Sequence, residues 1–279
     1  QFWKSLAQLR GGFWGESQYK PCAISPDSAF SFREAEASMA HPNTLAEWEA
    51  LTGDALTDPE QQLITACRDG EICWLGDGER PEEPDPERNI RADLLRWLIL
   101  GGCDDCQTHA QGLQLVGAYI TGKLDISFAK AKGLTYLVGC HFAEPIEALQ
   151  TRFEFLVLNG SALPGLNAQG TEVKGGVFLR NGFEATGEVS LSGASIGGNF
   201  DCFDGCFSNK GGEALNAEEA EVKGGVFLNN GFEAIGEVRL LGASIGGQLD
   251  CSDGCCSNEN GHALNAQRLH VTEASFLRA

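Results

Sequence analysis

The sequence predicts a mainly β fold: a right-handed parallel β-helix of about 21–25 residues per turn, capped by a small α-helical N-terminal region. Three observations carry this expectation. The first is an internal repeat. Glu172-Val173-Lys174-Gly175-Gly176-Val177-Phe178-Leu179 returns as Glu221-Val222-Lys223-Gly224-Gly225-Val226-Phe227-Leu228, 49 residues later, and Gly193-Ala194-Ser195-Ile196-Gly197-Gly198 returns as Gly242-Ala243-Ser244-Ile245-Gly246-Gly247 at the same offset. The second is alternation. Val177 and Leu179, Val189 and Leu191, and Phe200 and Cys202 each bracket one residue that points the other way. Short period-2 runs broken by Gly, Asn-Gly and Asp-Gly read as short strands. The third is glycine, 36 of 279 residues against only 9 prolines, with no third-residue period. That excludes collagen and a Pro/Gly-rich disordered chain. Short strands with no crossover helices between them stack as a solenoid, with glycine at corners where φ is positive or two backbones come close.

The elements follow in order. Thr44-Leu45-Ala46-Glu47 is a capping box that opens a helix ending at Gly53, and Thr57-Asp58-Pro59-Glu60 opens a second, with Leu63, Ile64 and Cys67 inward and Gly70 closing. Residues 76–88 read as a loop. Asn89 to Leu100 places Ile90, Leu94, Leu95 and Leu98 on one face and stops at Gly101-Gly102. An open solenoid end exposes core and strand edges, so this last helix is assigned as the cap. The coil proper begins near residue 111. Gly117, Gly139 and Gly160 stand 22 and 21 apart in a Leu-x-Gly-small-x-apolar frame, and His141 occupies the slot of Ser195 and Ser244 in that frame. The 49-residue unit is then two turns of roughly 24. A third copy starts at Leu264-Asn265-Ala266 and reaches Val271, Phe276 and Leu277. The expected division is an acidic, mainly helical part over 1–110 and the β-helix over 111–279.

Lys and Arg number 20 and Asp and Glu 39, a formal net charge of −19. Such a surface repels nucleic acid and anionic lipid, so direct nucleic-acid binding is not expected, and a basic protein partner fits. The 11 cysteines are an odd number and suit a reducing compartment better than a secreted disulfide framework. No apolar run approaches the roughly 20 residues of a membrane span. A cytoplasmic location is expected, with peripheral membrane association left open.

Most tempting motifs are explained by the repeat. Gly193-Ala194-Ser195-Ile196-Gly197 and its copy match G-x-S-x-G, but a nucleophile elbow needs a strand-to-helix turn and has no reason to recur at the solenoid period. Cys202-x3-Cys206 and Cys251-x3-Cys255 could suggest zinc. Two turns separate them, roughly 9.6 Å by strand spacing, too far for shared ligation. Asp201-Cys202-Phe203-Asp204-Gly205 recurs as Asp250-Cys251-Ser252-Asp253-Gly254, first of all a turn, with calcium as the alternative. Cys103-Asp104-Asp105-Cys106 is a true C-x-x-C. Its acids disfavour thiolate, so a structural turn is preferred, and Cys103 and Cys106 stand as the weak metal or redox candidates. The five histidines form no metal motif, and no phosphate or dinucleotide fingerprint occurs.

Residues 89–98, the Gly-Ala-x-Ile-x-Gly-x-Leu-Asp run at 117–125, and the two copies of Gly-Glu-Val-x-Leu-x-Gly-Ala-Ser-Ile-Gly-Gly resemble a group of bacterial proteins similar to pentapeptide-repeat β-solenoids. Some of that group carry the label "membrane-associated oxidoreductase". The resemblance covers residues 89–279 and implies the solenoid, while its label implies redox chemistry that no residue here carries. The expected role is a non-enzymatic protein-interaction scaffold or regulator without a cofactor. The alternatives are an acidic duplex mimic that inhibits a DNA-binding enzyme, and a metal- or redox-linked protein. The unfinished third copy predicts more turns, a capping partner, or end-to-end or homo-oligomeric association through the C-terminal turn.

Overall fold

The computed structural model describes residues 43–259 and 261–276, which fall within one compact unit running from Pro42 to Ala279. Cys22, His41 and Leu277 lie outside the described residues, as does the N-terminal stretch of the expected 1–110 region. The fold is a parallel β-solenoid of about seven turns with four strand positions per turn. One turn shows the plan. Val177–Phe178 lies in the first row, Glu184–Ala185 in the second, Val189–Ser190 in the third and Ser195–Ile196 in the fourth. Phe200–Asp201 then returns to the first row, paired with Val177–Phe178. Each short strand turns an apolar residue inward (Val177, Ala185, Val189, Ile196), and these stack into the core with their equivalents above and below.

Register fixes the period. Down the first row Thr135 pairs with Leu156, then Val177, Phe200, Val226, Leu249 and Ser275, giving turns of 21, 21, 23, 26, 23 and 26 residues. The 49-residue unit is therefore an unequal pair of turns, 23 and 26. The longer turn contains the 11-residue strand Cys206–Asn216, whose register shifts between Ser208 and Leu215. Its extra residues form a loop closed by the Asn209 amide on the Glu213 carbonyl (2.9 Å). The equivalent Asn258 closes onto the His262 carbonyl (3.0 Å).

Glycine serves two distinct needs. Gly193 has φ +64 with open space around its Cα, so its requirement is conformational. Gly197 has no positive φ, but a Cβ there would overlap the Lys174 carbonyl of the turn below. Gly197→Ala is expected to destabilise by about 1–3 kcal/mol through overpacking. Gly193→Asn, which tolerates αL, is expected to cost only a few tenths of that in the same thermal unfolding assay. Equal losses at the two positions would refute the distinction.

The N-terminal elements seal one end. Helix α1 spans Leu45–Thr52, α2 Asp58–Asp69 and α3 Ala92–Ile99. The capping box at Thr57 forms, with Glu60 accepting from the Thr57 amide (3.0 Å). At Thr44 only half of it does, Thr44 accepting from the Glu47 amide (3.2 Å) while the Glu47 carboxylate accepts from the Asn43 amide one residue earlier (2.7 Å). Gly53 and Gly70 close their helices in αL. The third helix starts later than the apolar pattern suggests, because Asn89–Arg91 is a strand paired with Tyr119–Thr121. Cys73–Trp74 likewise pairs with Leu115 and Val116. The first turn thus has its first two rows as strands, and α3 takes the place of the other two. Arg96 of α3 donates to the Asp125 carbonyl in the third row (2.7 Å), and the Ile99 carbonyl accepts from the Lys132 amide near the fourth (2.8 Å). The expected boundary at 110/111 falls inside one compact unit, because the strands Cys73–Trp74 and Asn89–Arg91 already belong to the first turn of the coil. The loop at 76–88 straps the coil: Arg80 donates to the carbonyls of Gly160 (3.2 Å) and Gly182 (3.0 Å), equivalent corners of successive turns, and pairs with Glu184 (2.7 Å).

Candidate functional site

Cys103 and Cys106 follow α3, in a loop tied to α1. The Asp104 amide donates to the Asn43 carbonyl (3.0 Å), and Asp105 accepts from the Leu45 amide (3.1 Å). The two sulfurs are joined as a disulfide, and both side chains are buried. With the Asp105 carboxylate they form the one group of three potential ligand atoms, all within 4.8 Å, found among the described residues. A disulfide and a metal-bound dithiolate exclude each other, so this loop can cross-link or bind but not both at once. The remaining described cysteines are free. Cys202 packs in register with Leu228 and then with Cys251, two turns apart. Burial pushes the Cys251 thiol up to about 12, so it is an inert apolar filler rather than a nucleophile.

The serines of the two G-x-S-x-G matches, Ser195 and Ser244, are exposed in the fourth row, paired with Glu221 between them. No helix follows either. His141 is not in their slot. It lies in the second row between Tyr119 and Ala162, its ring stacked on Tyr119 at 4.8 Å. The frame Leu-x-Gly-small-x-apolar marks a corner after a left-handed glycine, and two different corners use it: Gly139 turns row one into row two, whereas Gly193 turns row three into row four. Partial burial, and then the nearby Arg80 charge, hold His141 below the usual imidazole value. Asp201 and Asp250 sit in the first row, each accepting from the backbone amide two residues on, at 3.1 and 2.9 Å, as turn formers do.

Two outer faces stand apart. On the first row the outward positions run Tyr136, Val157, Phe178, Asp201, Phe227, Asp250 and Phe276. Of the aromatics on this row Phe276 is 47 % exposed, Phe155 43 %, and Trp74, in the first turn at the capped end, 56 %. The Gly-Gly of the repeat has a purpose here: a Cβ on Gly176 would lie 2.8 Å from the Phe178 ring, and one on Gly225 2.9 Å from Phe227, so each ring occupies the space a side chain there would need. Arg180 covers Phe178 at 5.0 Å while pairing with Asp201 (2.8 Å). The third row is polar instead, running Glu147, Asn167, Ser190, Asn216, Arg239 and Asn265. Asn167 donates to Glu147 (2.8 Å), Asn216 to Glu213 (2.6 Å) and Asn265 to Glu237 (3.0 Å). Burial, with Glu188 and Glu237 nearby, raises Glu213 above the usual carboxylate value despite the opposing Arg239.

No protein-family model, no curated protein and no solved structure matches this chain. Its site therefore rests on its own geometry. Neither outer face was singled out by motif. The signal was present in the repeat, since Phe178, Phe227 and Phe276 share the 49-residue offset, but in sequence an outward aromatic cannot be told from an inward one without the strand register.

Among the described residues no helix is long and apolar enough to cross a membrane.

Proposed function

We propose that this chain is a non-enzymatic protein-binding solenoid that engages a partner through the outer face of its first row. The observation behind this reading is the aromatic column Phe178, Phe227 and Phe276, with Phe155 on the turn before Phe178, interrupted by Asp201 and Asp250. Phe178 and Phe227 are partly exposed and Phe155 and Phe276 exposed, and aromatic side chains rimmed by charge are characteristic of protein interfaces, whose binding energy concentrates in a few aromatic and arginine anchors. The net charge of −19 favours a basic partner. Duplex mimicry is the weaker reading. Among the described residues no outward row carries an unbroken column of acids: Phe alternates with Asp in the first, Glu with Ser in the fourth.

The test is a triple variant, Phe155→Ser, Phe178→Ser and Phe227→Ser. The inward residues are untouched, so the unfolding midpoint should stay close to wild type. A basic partner captured by the wild-type chain and identified by mass spectrometry should bind the variant at least about 30-fold more weakly, as for the loss of one hot spot of about 2 kcal/mol. Unchanged affinity in a folded variant would reject this face.

A further inference from the structure

Arg239 stands 49 residues beyond Ser190, in the same slot of the repeat. Its guanidinium is held by Glu218 at 2.8 Å, with Glu237 at 3.6 Å and Glu213 at 3.8 Å. The residues 49 positions before those three acids are Gln169, Glu188 and Pro164. These three, with Asn167, Pro145 and Ser190, line a cleft of about 280 Å³. The cleft thus lies where the repeat, one unit later, places the chain's own guanidinium. Serine is too short to reach across it.

A second observation is independent of the repeat. Ser190 faces outward from its strand yet is only 2 % exposed, and its Oγ has no hydrogen-bond partner. The buried hydroxyls of Thr108, Thr151 and Ser161 each donate to a backbone carbonyl, at 2.7, 2.7 and 2.9 Å. A buried polar group left unpaired is unusual enough to ask for a partner. Glu188, exposed at the mouth, takes part in no ion pair among the described residues.

We propose that this cleft binds a guanidinium group, presented by an arginine side chain of a partner. A guanidinium is a planar fork of donors with no acceptor, and the cleft offers acceptors: the Glu188 carboxylate, the Ser190 Oγ and the side-chain oxygen of Gln169. Pro145 and Pro164 form an apolar wall for the methylene stem. Calcium takes six to eight oxygen ligands, usually several carboxylates, whereas this cleft has one. The source of the arginine rests on the protein-binding reading above; the chemistry of the cleft does not.

The test is an amide NMR titration of the whole chain with Nα-acetyl-arginine methylamide, and separately with the lysine analogue, the uncharged citrulline analogue and calcium chloride. Arginine should give saturable shifts confined to residues 165–169 and 188–190. Lysine should bind about tenfold more weakly, and citrulline should give no saturable shift. Glu188→Gln should weaken the arginine response about tenfold. Ser190→Arg, which fills the cleft as Arg239 fills its own, should abolish it. No saturable shift with arginine, equal shifts with citrulline, or saturation of these amides by calcium instead would overturn the proposal. Should Ser190→Arg misfold, Glu188→Gln at an exposed position decides alone. Failure here leaves the first-row face untouched, because the triple phenylalanine variant is scored on partner affinity and keeps the cleft intact.

Discussion

Phe207→Ala is expected to lower stability by about 3–5 kcal/mol, the range for emptying a fully buried aromatic site. Phe207 is fully buried and sits between Phe183 and Phe232 of the neighbouring turns, with ring centroids 5.2 and 5.3 Å apart at tilts near 40°. The three rings form a column along the solenoid axis. Removing the middle one leaves a cavity that two turns must share, and also forfeits two tilted ring contacts of about 0.5–1.5 kcal/mol each, part of the same total. A solenoid is held mainly by nearest-neighbour interfaces, so the damage should be directional. The turns beyond Phe207 lose their anchor to the capped end. Hydrogen exchange should show protection falling first over residues 226–276, while Gly112–Val138 stays protected. Uniform loss of protection would mean that the unit unfolds in one cooperative step. Phe207→Leu, which retains most of the volume, should recover more than half of the stability.

The fold was legible because stacked turns write the same instruction several times. The offset of 49 and the glycine spacings of 22 and 21 are repeated measurements of one geometry, and the register confirms each. What the sequence hid was the position of each side within a turn. Leu137 to Phe142 and Leu191 to Ile196 carry one local pattern, yet they lie at different corners of the coil, and so His141 and Ser195 have different neighbours. A pattern of about five residues describes a corner, and four corners per turn are too alike to be told apart locally. The same ambiguity hid the outward aromatic column. Asn89–Arg91 was obscured for another reason. Ile90 satisfies the helical face and the strand equally well, and its pairing with Ile120, remote in sequence, decides for strand. The cleft beside Ser190 was readable only as a difference, Glu-Val-Ser-Leu against Glu-Val-Arg-Leu in otherwise parallel blocks. A single such difference carries meaning only once the structure shows what the arginine touches.

Glu60→Ala is expected to cost a comparable 3–5 kcal/mol at neutral pH, the range for removing one partner of a buried ion pair. Glu60 is 1 % exposed, at the third position of α2, and joins two elements of the cap. It accepts from the Thr57 amide, the Arg91 amide (3.1 Å), Arg91 Nε (2.8 Å) and Arg91 Nη2 (2.7 Å). Arg91 in turn stacks over Trp48 at 4.4 Å, and Trp48 packs parallel to Trp97 of α3. One carboxylate therefore sets the helix start, the strand Asn89–Arg91 and the tryptophan pair. Burial alone would raise its pKa, but the hydrogen bonds from Arg91 and Thr57 outweigh that, so it lies below the ordinary 4.5. A carboxylate depressed in the folded state contributes stability that is fully present above its unfolded value and is lost as pH falls through the folded one. Wild-type stability should thus decline on acidification below about 4.5, and Glu60→Gln, which removes the charge but keeps an acceptor for the Thr57 amide, should flatten that decline. At neutral pH Glu60→Gln should lie between wild type and Glu60→Ala. Denaturant titrations at pH 7 and across the acid limb measure both effects. If Glu60→Gln keeps the full acid dependence of the wild type, the stability of the cap does not run through this pair.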